Sequence, residues 1–381
     1  MVFLKADSKI SCLIPVTYGS EQGRESDHSE IFNKKKNICD HHSNGLQDRP
    51  MSEHTTPSSP DTGQRRKDLL EMAKKTPPFS GIPTFFRAPF CSPADPLEIA
   101  LIGIPYDGGL SDRTGAREGP RSIRAASLLP FGYNHQTRIL PLEICLIGDV
   151  GDVQINDWLN HDNAIEDIYQ WYRTTIKKGV LPITAGGDHS VTYPILKALA
   201  SGEPLALIHF DSHCDTTPEG LMSRFSHASP FLNAAEIGVI DPKKTIQIGI
   251  RGTSELLWDY SYESGMRVVH VEEFYEIGWK QVIHEIKRIV GDSPVYITVD
   301  IDVLDPAYAP GTGTPEVGGI TTFELQQVLR GLTGVNFVGG DVVEVSPPYD
   351  HAGITALAGA AIMFELLCIG AYSVNTKRAV Q

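Results

Sequence analysis

Asp211-Ser-His213-Cys-Asp215 sets three candidate metal ligands at a spacing of two, and Asp300-Ile-Asp302 repeats the spacing further along the chain. Both groups follow β-rich apolar runs, Ala206-Leu-Ile-His-Phe and Tyr296-Ile-Thr-Val. Strand side chains alternate faces, so 211, 213 and 215 point together if the extended backbone continues past the sheet edge, as do 300 and 302. A third run, Leu181-Pro-Ile-Thr, leads into Gly186-Gly187-Asp188-His189-Ser190, where the glycines allow a tight turn that presents His189. Parallel α/β sheets bind ligands at the carboxyl ends of their strands, which is where all three groups sit. Four aspartates converging there with two histidines cannot all stay ionised unaided. Two divalent cations cancel the charge. An oxygen-rich set with two imidazoles favours Mn²⁺, leaves Ni²⁺, Co²⁺ or Fe²⁺ open, and disfavours structural Zn²⁺, which prefers thiolates. Two metals about 3.5–4 Å apart can hold a water between them and lower its pKa toward neutrality.

The elements that must position these groups read as one doubly wound α/β domain. Near-continuous apolar runs at 98–104, 181–184, 205–210, 245–250, 268–271, 295–299 and 335–339 suit strands covered on both faces. Helical spacing of apolar residues marks 164–178, 274–290 and 322–332. Residues 354–374 carry a single charge, Glu365, and are long enough to span a membrane. Gly359 and Gly370, the small residues and the lack of a basic cluster on the N-terminal side favour a buried C-terminal helix instead.

Composition narrows the partners. The 381 residues carry a net charge of −14, and because residues 1–75 are nearly neutral, the acidity lies in the remainder. An acidic chain is repelled by nucleic acid and by anionic membranes. The six cysteines show no paired spacing and read as reduced thiols in a cytoplasm. Residues 1–75 lack sustained periodicity and read as a mobile extension, with 76–381 as the catalytic domain. Met51 looks like a natural start, which makes 1–50 an over-long reading of the gene.

With these motifs assembled, the chain resembles the ureohydrolases: arginase, agmatinase and the guanidino-acid hydrolases. The resemblance runs from about Gly81 to Ala371. Its markers are Gly186-Gly-Asp-His-Ser190, Asp211-Ser-His-Cys-Asp215, Ser226-His227-Ala-Ser and Asp300-Ile-Asp-Val-Leu-Asp-Pro306. Pro310-Gly-Thr-Gly-Thr-Pro-Glu316 and Asp341-Val-Val-Glu344-Val-Ser-Pro347 complete the set. The loop 108–121 looks more like guanidinopropionase, guanidinobutyrase and agmatinase than like arginase. The resemblance implies a three-layer α/β/α arginase-like fold with a mainly parallel central sheet, assembled as homo-oligomeric trimers or hexamers. It implies that His189 and Asp215 bind one metal, that His213 and Asp302 bind the other, and that Asp211 and Asp300 bridge. It also implies hydrolysis of a small guanidino compound to urea and an amine. The leaving nitrogen then needs a proton donor, for which His227 fits, while Glu344 matches the carboxylate that orients the guanidinium.

The chain departs from the family pattern where Ser212 replaces the usual Ala, where Ala228 follows His227 in place of Gly, and where Leu232-Asn233 replaces the frequent Arg-Arg. In the loop 216–225, Arg224 could hold a substrate carboxylate and Glu219 an amine. A guanidino acid stands slightly ahead of agmatine. Guanidine, an alkylguanidine or a metformin-like biguanide stays open, with Ni²⁺ as the metal that relatives of those activities use. Two other classes are weighed against this reading. A non-catalytic subunit of a mixed oligomer with a paralogue need not keep six ligands, and a one-zinc deacetylase needs fewer.

Overall fold

Apolar residues at both odd and even positions of a strand need cover on both faces, and this dictates the layering. The computed structural model describes residues 77–380 except 129–131, 201 and 253–256, together with Asp68, Glu71 and Lys75. The readings of 1–75 as an extension, and of 1–50 as surplus, otherwise fall outside the described residues. Among the described residues eight strands form one sheet: β1 (Ile99–Gly103), β2 (Ile147–Asp152), β3 (Leu181–Ala185), β4 (Leu205–Phe210), β5 (Ile240–Ile250), β6 (Arg267–His270), β7 (Val295–Asp300) and β8 (Phe337–Val343). Their spatial order is β2-β1-β3-β8-β7-β4-β5-β6, with every ladder parallel.

Principal helices are α1 (Gly119–Ala126), α2 (His161–Thr175), α3 (Thr192–Leu199), α4 (Pro230–Glu236), α5 (Val271–Val290), α6 (Thr322–Gly331) and α7 (Ile354–Val380). Alternation along the strands builds a core on each face. Ala100, Ile102, Leu205, Leu207 and Tyr296 pack with Ile165 and Ile168 of α2, Ile195 of α3 and Phe231 of α4. Ile99, Leu101, Ile208, Phe210, Ile297 and Val299 face the opposite way, toward Ile123, Phe274, Leu325 and the apolar residues of α7. The result is the three-layer α/β/α architecture.

Three differences from the sequence reading have physical causes. β2 escapes notice because Ile147-Gly-Asp-Val-Gly-Asp152 carries two glycines and two aspartates, residues depleted in strands. β8 runs to Val343 rather than stopping at 339 because Asp341 is buried in it, held by side-chain hydrogen bonds instead of being excluded. Helix α2 begins before its apolar period does, since Asn160 caps it by accepting from Asn163 N–H at 3.1 Å. Among the described residues α7 is long and apolar enough to cross a membrane, yet 83% of its most apolar window is buried in the fold.

Candidate metal centre and active site

The strands β3, β8, β7 and β4 are consecutive in the sheet, and their carboxyl ends deliver the six expected metal ligands and Glu344. Along the face covered by α2, α3 and α4, the inward positions turn polar as the edge approaches. In β4 the series is Leu205, Leu207, His209, then Asp211; in β7 it is Tyr296, Thr298, Asp300. The ligands do not stay extended beyond β4. Asp215 has φ +52°, in the left-handed region, which swings its carboxylate to His189 rather than to His213.

His189 Nδ1 lies 2.9 Å from Asp215 Oδ2, 3.1 Å from Asp211 Oδ2 and 3.3 Å from Asp300 Oδ2. His213 Nδ1 lies 3.1 Å from Asp302 Oδ2 and 3.4 Å from Asp211 Oδ1. Asp211 therefore offers one oxygen to each histidine. Asp300 meets His189 through Oδ2, while its Oδ1 accepts from Asp302 N–H at 2.9 Å.

The donor set fits a cation pair. His189 Nδ1 is buried without a hydrogen bond, although three carboxylate oxygens surround it. Its tautomer is assigned from the network on the other side of the ring. Asp341 accepts from Thr298 Oγ1 at 2.5 Å, from Tyr296 Oη at 2.8 Å and from Thr192 Oγ1 at 2.8 Å. The Thr298 hydroxyl thus points its one O–H at Asp341 and accepts from His189 Nε2–H at 2.9 Å. That leaves Nδ1 with a free lone pair aimed at the carboxylates, the orientation a metal requires.

Asp211 is held likewise. His209 Nε2–H donates to its Oδ2 at 2.7 Å, and His209 Nδ1 accepts from Gln247 at 3.1 Å. Phe231 closes the base, its ring 4.3 Å from that of His209 and 5.1 Å from that of His189.

Electrostatics agree. Burial, then Asp302 and Asp211, push the Asp300 carboxyl well above the ordinary range. Burial opposes charging of His189, but Asp211, Asp215 and Asp300 hold its pKa well up, and Asp302 and Asp211 do the same for His213 against its own burial. Without cations, protons must occupy the cluster. Among the described residues, no lysine or arginine pairs with any of these four aspartates.

Glu344 follows β8 with φ +62° and is 1% exposed. Its main chain is pinned because its N–H donates to Gly187 O at 2.8 Å, and its Oε1 accepts from His189 N–H at 2.9 Å. The glycine requirement here is space rather than φ, since a Cβ on Gly187 would fall 1.6 Å from Tyr106 O. Oε2 is buried and unpartnered, 3.8 Å from where a Cβ on Gly313 would sit.

His227 Nδ1 is 3.3 Å from Glu344 Oε1, and its Nε2 is 3.0 Å from Ser111 Oγ. Burial opposes its charging, yet Glu344, Asp215 and Asp188 raise its pKa to about 9. Its main-chain N–H donates to Gly109 O at 2.9 Å, and Gly109 N–H donates to the buried Asp188 at 2.7 Å, tying the 108–121 loop to the His189 turn.

Several residues here escape a reading that looks only for ligands: His209, Thr298, Asp341, Gln247 and Ser111. The signal for the first two was available, since both stand two positions before a candidate aspartate on the same strand face. The distal pair is not brought to the cluster. Arg224 lies over the ring of Phe225, which stacks on Tyr193 of α3, turning the guanidinium to the α2–α3 side, and Glu219 is exposed at the loop tip. Asn233, one of the departures, is buried and donates to the carbonyls of Arg224 at 2.7 Å and Ser229 at 2.9 Å, bracing the His227 loop from behind.

Known proteins with this architecture agree. The arginase family model matches residues 97–368. Guanidinopropionase of Pseudomonas aeruginosa is 47% identical over 304 residues, covering 79% of this chain and 95% of that protein. The mitochondrial agmatinase of Gallus gallus is 43% identical, covering 76% and 86%. Among solved structures, proclavaminate amidino hydrolase from Streptomyces clavuligerus superposes with a TM-score of 0.75 at 39% identity, covering 78% of this chain and all of that one. A chain whose sheet edge gathers these acids and imidazoles, and whose length is matched so fully by such hydrolases, belongs to the arginase family and is itself a hydrolase of C–N bonds of the ureohydrolase type.

Proposed function

We propose that this chain hydrolyses a small linear guanidino acid to urea and an amine, using two divalent metals. The observation that carries the reading is Glu344 Oε2: a buried, unpartnered carboxylate oxygen beside a histidine and the acid cluster, placed to accept N–H groups of a guanidinium. His189 and Asp215 would hold one metal, His213 and Asp302 the other, with Asp211 and Asp300 shared. Bound dications supply Lewis acidity and a water acidic enough to attack at neutral pH.

The chain's own residues do the rest. Glu344 fixes the plane of the guanidinium, so that its central carbon faces the cluster. Water adds to that carbon, the bond to the alkyl-bearing nitrogen breaks, and the nitrogen must take a proton to leave as a neutral amine. His227, held as an imidazolium by Glu344, supplies it. Phe231 and the buried strand ends keep bulk solvent from the acids.

A guanidino acid ranks ahead of agmatine because guanidinopropionase is the more similar of the two relatives. Mn²⁺ is the first metal and Ni²⁺ the alternative. A second reading, a compact guanidine, an alkylguanidine or a biguanide processed with Ni²⁺, draws on Asn233, whose two carbonyl bonds remodel the loop behind His227. We place the protein in the cytoplasm as a homo-oligomeric trimer or hexamer. The intact ligand set speaks against a silent subunit that needs an active paralogue.

The test is urea release from the purified homo-oligomer over guanidino acids, agmatine, guanidine, methylated guanidines and metformin, with Mn²⁺ and Ni²⁺ compared. A guanidino acid should lead. Urea from none of them contradicts the proposal, and preference for a biguanide with Ni²⁺ selects the second reading.

A further inference from the structure

Where β5 ends, Arg251 turns its side chain across the edge of the acid cluster, and its contacts form a pattern. Nη2 donates to the carbonyls of Asp302 at 2.7 Å, Glu316 at 2.7 Å and Leu304 at 3.4 Å. Nη1 donates to Gly249 O at 3.0 Å and Val303 O at 3.3 Å, and Nε to Val317 O at 3.1 Å. One guanidinium thus gathers six main-chain carbonyls from three segments.

Its own main-chain N–H donates to Ser212 O at 2.9 Å, joined there by Gly252 N–H at 2.8 Å. Ser212 is the residue between Asp211 and His213, and its N–H donates to Asp302 Oδ1 at 3.0 Å. Arg251 therefore grips both protein walls of the pair formed by His213 and Asp302: one through its backbone, the other through its side chain.

Two further features give the arrangement a purpose. All six side-chain acceptors are carbonyls and none is a carboxylate, so the cation secures the ligand backbone without competing with a metal for the ligand oxygens. Guanidinium is the group suited to this, with five N–H donors in a rigid planar fork, where an ammonium has three on a point charge. The guanidinium is closely packed: a Cβ on Gly319 would sit 2.6 Å from Nη2 and closer still to the backbone of Leu304 and Asp305. By contrast, among the described residues no hydrogen bond joins Arg251 to His189 or Asp215.

We propose that Arg251 is a positioning residue for one of the two metals, setting the geometry of the His213–Asp302 half of the centre and leaving the His189–Asp215 half alone. The inference rests on the two-metal reading of the cluster. Removing a group that orients a ligand from outside costs roughly 10–100-fold in metal affinity, and here the loss should fall on one ion of the two.

The experiment compares wild type, Arg251→Met and Arg251→Lys as full-length oligomers, dialysed against graded Mn²⁺ and assayed by elemental analysis, with the Co²⁺ absorption spectrum recorded alongside. Wild type should bind two metals per chain. Arg251→Met should keep one at wild-type affinity and bind the other about 10–100-fold more weakly, and Arg251→Lys should fall between. A variant that melts lower but binds both ions as wild type does would show Arg251 to be structural only, and equal weakening of both ions would overturn the assignment to one half. If Arg251→Met fails to fold, Arg251→Lys decides by the same criteria. Wild type binding fewer than two metals would instead overturn the two-metal reading itself.

Discussion

Two regions of this molecule bury carboxylates, and they solve the problem in opposite ways. In α7, Glu365 is almost inaccessible, yet Arg330 of α6 reaches it with Nε at 2.8 Å and Nη2 at 2.6 Å, and Asn134 Nδ2 donates to it at 2.7 Å. Burial raises its carboxyl, and Arg330 and Asn134 pull it back. The chain supplies that countercharge itself. At the carboxyl edge of the sheet, Asp211, Asp215, Asp300 and Asp302 are buried as deeply, and the partners that face them are histidines. Burial alone therefore does not mark a functional acid. A cluster of buried acids without a cation of the chain's own does, whereas a single buried acid such as Asp341 is satisfied by three hydroxyl donors.

Four experiments would break or sharpen this contrast, from the largest effect to the smallest. Asp300→Asn should lose most bound metal and urea release together, as elemental analysis and a urea assay on one preparation will show; unchanged metal content would remove Asp300 from the ligand set. His227→Asn should retain both metals while turnover falls by roughly 10²–10⁴. A histidine with a pKa raised to about 9 keeps its proton at neutral pH, so turnover that depends on that proton declines as pH rises through it. Bound cations cancel part of the Asp215 field and bring the decline to lower pH. A kcat–pH profile should show this alkaline limb in wild type and lose it in His227→Asn.

Arg330→Met tests the self-neutralised site. It leaves Glu365 buried and unpaired and should cost about 3–5 kcal/mol of stability with metal content intact, whereas adding Glu365→Leu should restore most of it, as read from denaturant unfolding. If Arg330→Met instead changed metal binding, the two regions would not be independent. Thr298→Val, which frees the His189 ring from Asp341 and leaves both buried groups short of a partner, should weaken metal binding about 10–100-fold, measured by equilibrium dialysis, and cost about 1–3 kcal/mol of stability.

How much of this was legible in the sequence depends on the range of the interaction. The candidate ligands were legible because acids two apart after an apolar strand are a local pattern, and His189 because it follows Gly-Gly-Asp at a strand end. The double-sided sheet was legible from strands apolar at every position. The supporting shell was not, because it is made between strands distant in sequence: Thr298 meets Asp341 only when β7 lies beside β8, and Gln247 meets His209 only when β5 lies beside β4. Arg251 was invisible for the same reason, its acceptors being backbone carbonyls that no residue type announces. Arg224 stayed open between a substrate contact and a solvated loop charge because a loop's sequence does not say which way its side chains turn; the structure leaves it exposed, its guanidinium over Phe225, which stacks on Tyr193.

The central claim is that the acid cluster at the sheet edge is completed by two cations, and equilibrium dialysis of the full-length protein against Mn²⁺ and Ni²⁺ tests it most directly. Two ions per chain are predicted, with Asp300→Asn binding fewer and urea release vanishing when a chelator strips them. A single zinc per chain, or full urea release from metal-free protein, would contradict it.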